Sequence, residues 1–409
     1  MIQKLNGPRL RFPEFKEGLN YRSLGSFTIW YSGGTPSKEN EAFWNGEIPW
    51  ITASSMRGTE YFESELKITE SGLKNGSRLA QIGSLLILVR GSMLFKTIPI
   101  GIATRDVAFN QDVKALLVGS ESTPKFILYY LIAKEELLLN KVTGTGIGAG
   151  KLDLHDLKSF SVSLPNLPEQ QKIASFFTVI DIKISQLKRQ LTLLEQYKKG
   201  VMQKIFSQEI KFKFALSKVE GDDGQEFPKW EKLNGNDVFS PISNKNHNSD
   251  LPILAITQDK GAVPRDMIDY SISVTEQSIE SYKVVEVGDF IISLRSFQGG
   301  IEYSEYKGIC SPAYIILRAT REIDNRYFKY YFKTENYISE LNKKLEGIRD
   351  GKMISYKYFS DIKINVPSVP EQTKIANFLS AIDDKINHTQ KQIEKAEIWK
   401  KGLMQQMFV

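Results

Sequence analysis

Gly144-Thr145-Gly146-Ile147-Gly148-Ala149-Gly150-Lys151 has the glycines and terminal lysine of a phosphate-cradling loop, but not its full chemistry. A nucleotide loop of that type needs glycine at position 145, where Thr145 stands. It also needs a hydroxyl for magnesium at 152, where Leu152 stands. As a dinucleotide fingerprint the segment is misplaced, because it follows a helix-like stretch and not a strand. Two readings remain: a glycine turn whose exposed N–H groups and Lys151 approach nucleic-acid phosphates, or a plain structural turn. The matching place in the second half of the chain, 347–352, carries two cations, Arg349 and Lys352.

Other catalytic chemistry finds no support. His155, His247 and His388 are scattered and form no metal-ligand spacing. No Asn-Pro-Pro or Asp-Pro-Pro segment exists for amino methylation, and no Pro-Asp dipeptide opens a nuclease motif. Glu65-x-Lys67 stands alone. What remains is recognition by polar side chains on Gly-rich loops. In the first half these are Thr35, Ser37, Arg57, Arg90, Ser92, Lys96, Asn110, Gln111 and Lys151; in the second, Gln258, Lys260, Arg265, Arg295, Ser296, Gln298, Arg349 and Lys352. Arginine can grip guanine with two hydrogen bonds, asparagine and glutamine can grip adenine likewise, and lysine mostly finds phosphate.

Such loops need a scaffold, and the chain supplies one twice. Residues 164–206 align without a gap to 366–408, and 20 of these 43 positions are identical. Leu-Pro-Glu-Gln-Gln-Lys-Ile-Ala at 167–174 meets Val-Pro-Glu-Gln-Thr-Lys-Ile-Ala at 369–376. Fainter matches pair Phe12-Pro13 with Phe227-Pro228, and Gly150-Lys151-Leu152 with Gly351-Lys352-Met353. The chain is therefore two copies of one unit, a globular segment followed by a long one. In the first long segment Ile173, Phe177, Ile180, Ile184, Leu187, Leu191 and Leu194 alternate steps of four and three, the seam of a coiled coil. Ile375, Leu379, Ile382, Ile386, Thr389, Ile393 and Ala396 repeat it. Pro168 and Pro370 suit a first helical turn, where the missing N–H is not needed. No low-complexity linker returns the chain after Phe206, so antiparallel packing of the two helices is expected.

The globular segments read as mixed α+β. Short β-type runs (Ser84–Val89, Ala115–Val118, Phe290–Leu294, Ala313–Leu317) alternate with Gly, Pro, Asn and Ser. Each also holds an aromatic helical stretch, Phe126–Leu139 and Tyr327–Leu341. The expected divisions are 1–166, 167–208, 209–368 and 369–409. An apolar fraction of 41% allows ordinary cores. Net charge is +6, a modest lean toward a polyanion. The single cysteine, Cys310, excludes a disulfide within the chain and suits a reducing cytoplasm. No apolar run approaches the roughly 20 residues of a membrane helix.

Ser32-Gly33-Gly34-Thr35-Pro36-Ser37, then Phe43-Trp44, then Gly46-Glu47-Ile48-Pro49-Trp50-Ile51-Thr52 closely resembles the start of a target recognition domain in the specificity subunits of type I restriction-modification systems. The Pro-Glu-Gln-x-x-Ile-Ala helices resemble their conserved regions. The second half lacks the Gly-Gly-Thr-Pro and Pro-Trp-Ile-Thr signatures and has Ile253-Leu254-Ala255-Ile256-Thr257 instead. The resemblance implies two target recognition domains separated by an antiparallel coiled coil with pseudo-two-fold repetition, each domain reading half of a split site on double-stranded DNA. It implies two modification subunits bound to the helices, which hold S-adenosylmethionine, and restriction/translocase subunits that use ATP and magnesium. No cofactor is then expected on this chain. The residues by themselves also admit a self-contained, divergent DNA methyltransferase, or a protein scaffold that never touches DNA.

Overall fold

The structure, a computed structural model, describes residues 7–146, 148–214, 225–248, 250–268, 279–294, 296–343 and 354–408. Both long segments are helices, Leu167–Phe206 and Val369–Met407. The chain divides into two compact units, 1–188 with 391–409, and 189–390. The units thus do not follow the chain order of the segments: each globular part takes the start of its own long helix and the end of the other.

In the first unit a five-stranded sheet runs in the order Thr28–Ser32, Val113–Val118, Leu85–Leu88, Ile100–Ala103, Glu60–Tyr61. Its central strand Leu85–Leu88 is buried at every residue, which explains an unbroken aliphatic run in place of alternation. A four-stranded sheet of Lys67–Ile68, Trp44–Ile51, Val107–Phe109 and Arg78–Ala80 lies beside it in sequence. The aromatic stretch forms a helix, Pro124–Ala133, whose N-cap Thr123 accepts from the Phe126 amide. Strands Asn20–Ser23 and Ser161–Leu164 pair antiparallel, which brings the two ends of the globular part to the root of the helix.

The second unit repeats this plan with less sheet. Phe239–Ile242, Ile315–Ala319, Phe290–Ile292 and Glu302–Tyr303 form the corresponding sheet in the corresponding order. Asn325–Tyr331 is the corresponding helix, and Glu231–Asn234 pairs with Lys363–Val366 at the root. The duplication therefore extends through segments whose sequences have diverged.

The seam is apolar and buried. Ile173, Phe177, Ile180, Ile184 and Leu187 are buried, and Leu191 is half-buried. Ile375, Leu379, Ile382 and Ile393 are buried, Ile386 half-buried, and Thr389 is buried with its hydroxyl donating to the Lys385 carbonyl. In the first unit Lys400 meets Asp181 at 2.5 Å and Lys188 meets Glu397 at 2.7 Å. As one number rises the other falls, so the helix segments run antiparallel there. Phe408 stacks on Phe177 with ring centres 5.7 Å apart and closes the core. In the second unit Phe206 packs on Tyr327 and Tyr331 at the same structural place.

The repeat also conserves a polar joint. Tyr129 donates to Asp181 at 2.8 Å, and Lys400 sits over the Tyr129 ring at 5.5 Å. Tyr330 donates to Asp383 at 2.7 Å, Lys198 meets Asp383 at 2.5 Å, and Lys198 sits over the Tyr330 ring at 5.2 Å. Burial holds both phenols well above the usual tyrosine range, so they stay hydrogen-bond donors to these carboxylates. Among the described residues no helix is long and apolar enough to cross a membrane.

Candidate nucleic-acid interface

The Gly-Gly-Thr-Pro segment is held by close backbone approach. A Cβ on Gly33 would lie 2.1 Å from the Phe109 carbonyl oxygen, and one on Gly34 2.3 Å from that of Gly76. Only glycine fits at both. The Gly34 amide donates to Phe109 O at 3.0 Å. Trp50 Nε1 donates to Gly34 O at 3.1 Å, Trp44 Nε1 donates to Ser37 O at 2.9 Å, and the two indoles meet edge to face. The tryptophans of the second signature thus pin the first. The result is a fixed, surface-facing Thr35 whose hydroxyl donates to Gln111 Oε1 at 2.6 Å.

Around this pair the structure gathers cations that sequence reading missed. Lys114, on the strand beside Ser32, donates to the Gln111 carbonyl at 2.8 Å, and burial pushes its ammonium below the usual lysine range. Arg78 pairs with Phe109 in the sheet and lies over the Tyr31 ring at 5.4 Å. Strand alternation from Ser32 and Phe109 could have pointed to both, but only once the pairing was known. Ser37 is exposed on the same segment, and Arg57 is exposed on the turn after Thr52–Met56.

A second group forms elsewhere in this unit. Strands Thr143–Gly144, Gly150–Lys151 and Arg90–Gly91 make a small antiparallel sheet that sets Arg90 opposite Lys151. Both side chains are exposed, as are Ser92 and Lys96 on the turn that follows. Lys151 meets Asp153 at 3.1 Å. The glycine loop is a hairpin: Thr145 N donates to Ala149 O, and Gly148 N to Thr145 O. Those two amides are spent inside the turn.

In the second unit Gln258 and Lys260 stand exposed on the turn joining Leu254–Thr257 to Gly261–Pro264. Gln298 is exposed on the short helix Ser296–Gly299. Arg265 is half-buried, its Nε without a hydrogen-bond partner among the described residues. Two of the expected residues are buried. Asn110 is 8% exposed and its Oδ1 accepts from the Asp112 and Val113 amides, so it builds the turn that presents Gln111. Ser296 is 1% exposed and its hydroxyl accepts from the Ser293 amide, so it closes the turn that leads into its helix. Short polar residues favour both caps and reading loops, and sequence alone does not separate the two. Arg295, Arg349 and Lys352 lie outside the described residues. Among the described residues, no group of three or more His, Cys, Asp or Glu side chains could hold a metal ion.

A family model described as the type I restriction modification DNA specificity domain matches residues 16–196 and again 229–397. The chain is 35% identical over 170 residues to the specificity subunit of type I restriction enzyme EcoR124I/EcoR124II from Escherichia coli, a match covering 41% of this chain and 42% of that protein. The chain thus spans less than half the length of that relative. It is 25% identical over 410 residues to the specificity subunit of type I restriction enzyme MjaVIII from Methanocaldococcus jannaschii, covering 97% of this chain and 92% of that one. A solved specificity subunit from M. genitalium superposes with a TM-score of 0.59 at 16% identity, over 98% of this chain and 99% of that one.

Proposed function

The chain belongs to the family of type I restriction modification DNA specificity domains, and from that premise we propose that it is a non-catalytic subunit that reads a split site on double-stranded DNA. Each globular part reads one half, and separate subunits act where it places them. One observation carries this reading: the family match falls twice, once on each copy of a fold that repeats down to its polar joint. In this reading S-adenosylmethionine, ATP and magnesium belong to cytoplasmic modification and restriction partners. Thr35, Gln111, Arg90 and Lys151 face DNA in the first unit, and Gln258, Lys260 and Gln298 in the second.

Exchange of residues 1–160 for the corresponding segment of another family member tests the division of labour. Methylation mapping should show one half of the target changed and the other kept. A simultaneous change of both halves would refute independent reading.

The helices offer a surface for two copies of one partner. In the first unit Trp399 is 54% exposed and touches Phe176 edge to face. The positions equivalent by the repeat are Tyr197, 53% exposed, and Phe378, 36% exposed. An exposed aromatic side chain at each matched place suits a partner that binds twice. W399S and Y197S should each weaken one modification subunit by about 30-fold, the loss of one aromatic anchor. Both residues are more than half exposed, so melting should barely move. Native mass spectrometry of the assembled complex distinguishes one lost copy from two; full assembly of the double variant would exclude this face.

A further inference from the structure

Two reading segments of the second unit, far apart in sequence, meet at one lysine. Lys333 follows the helix Asn325–Tyr331 and is mostly buried. Its ammonium donates to the carbonyl of Gly299 at 2.8 Å, to that of Gln258 at 3.3 Å, and to Glu302 Oε1 at 2.6 Å. Gly299 ends the short helix that carries Gln298. Gln258 opens the turn that carries Lys260. The two segments also touch directly, because a Cβ on Gly299 would stand 2.9 Å from the Gln258 side chain. Glu302 is 1% exposed and lies on the sheet, so the anchor is rigid.

We propose that Lys333 is a positioning residue for sequence reading in the second unit: it ties the Gln258–Lys260 turn to the Ser296–Gly299 turn and fixes the spacing of their polar side chains against DNA. An ammonium with three donors, aimed at two carbonyls and a carboxylate, holds three segments in one geometry. Discrimination between bases depends on that geometry, since a paired hydrogen bond to a base edge tolerates little displacement. General attraction to phosphate does not depend on it. Glu302 fits the role of anchor. Burial raises its carboxyl to about 7, and Lys333 pulls the other way, toward the charged form. In the first unit no such clamp is formed by Lys134, the lysine at the end of the corresponding helix; it donates to the Phe408 carbonyl at 3.3 Å.

The inference rests on the DNA-reading function proposed above. Its test uses the full chain assembled with its modification subunits. Duplexes carry the mapped target, or the target with one base pair changed in either half. Methylation rate is the readout, with melting measured beside it. K333M should lower discrimination at one or more positions of the second half by about tenfold, leaving the first half as in the wild type. K333R should restore most of it. G299A presses on the same junction from the other side and should relax the same positions, which decides the matter if K333M does not fold. Unchanged discrimination in a folded K333M complex, or equal loss in both halves, overturns the inference. A wild-type complex with no preference for its mapped target would instead overturn the DNA-reading function.

Discussion

Changing Ile180 to Asp should cost the first unit about 4 kcal/mol or more, enough to consume much of the stability of a domain this size. Ile180 is 7% exposed and sits in a core with Phe177, Ile184, Met404 and Phe408. Truncating a buried isoleucine forfeits about 2–5 kcal/mol of packing, and a carboxylate in its place has no cation designed to meet it. Asp181 beside it is already committed to Tyr129 and Lys400. I382D should do the same to the second unit, where Ile382 packs with Leu379 and Ile205. The control is two residues away. Ile182 is 52% exposed, so I182D should change stability by no more than about 0.5 kcal/mol. Denaturant titration of the three variants checks this, and the I180D/I382D double variant should fail to recruit modification subunits. Equal stability of I180D and I182D would place Ile180 in solvent and sink the seam.

That seam was legible because helix periodicity is a strong local signal and the duplication stated it twice. The sequence also indicated antiparallel packing through a missing linker, which the ion pairs Lys400–Asp181 and Lys188–Glu397 bear out in the first unit. What it did not indicate is that each unit borrows the end of the other long helix. Phe206 and Phe408 occupy equivalent places in the repeat, but nothing local says which core they close. That is a tertiary choice made by aromatic packing on Tyr327 and on Phe177.

The candidate interface was legible as loops more than as residues. Gly33, Gly34, Trp44 and Trp50 stood out, yet what they do is pin Thr35, which bonds Gln111 with Lys114 behind it. Asn110 and Ser296 are buried in turns, since a polar side chain that builds a turn is written in the same letters as one that reads a base. In the second unit the key lysine was invisible: Lys333 lies in an aromatic helical stretch whose pattern announces only a core.

A buried ion pair provides the other large effect, and the repeat supplies its own control. Each long helix begins Pro-Glu-Gln, and the glutamate is buried in both copies: Glu169 at 1% exposure and Glu371 at 4%. Arg11 grips Glu169 with two parallel hydrogen bonds at 2.6 and 2.7 Å. The residue before the matching Phe-Pro in the second copy is Glu226, so no arginine can arrive from that place. Glu371 instead has Trp230 as a hydrogen-bond donor, one carboxylate oxygen without a partner among the described residues, and a carboxyl raised by burial above its usual range. The same glutamate thus meets an arginine in one unit and an indole N–H in the other. R11A should therefore destabilise the first unit by about 3 kcal/mol, the low end for breaking a buried pair because the arginine is partly exposed. Most of that loss comes from the carboxylate left behind, so adding E169Q should recover a good part of it. Glu371 makes stability depend on pH. A carboxyl whose folded pKa lies above the unfolded value takes up protons on folding, so its contribution weakens as pH rises through that interval. E371Q should remove this slope and cost little or nothing at pH 8. Urea titrations of R11A, R11A/E169Q and E371Q at pH 5 and pH 8 measure all three; no recovery in the double variant would mean that Arg11 acts by packing and not by its charge.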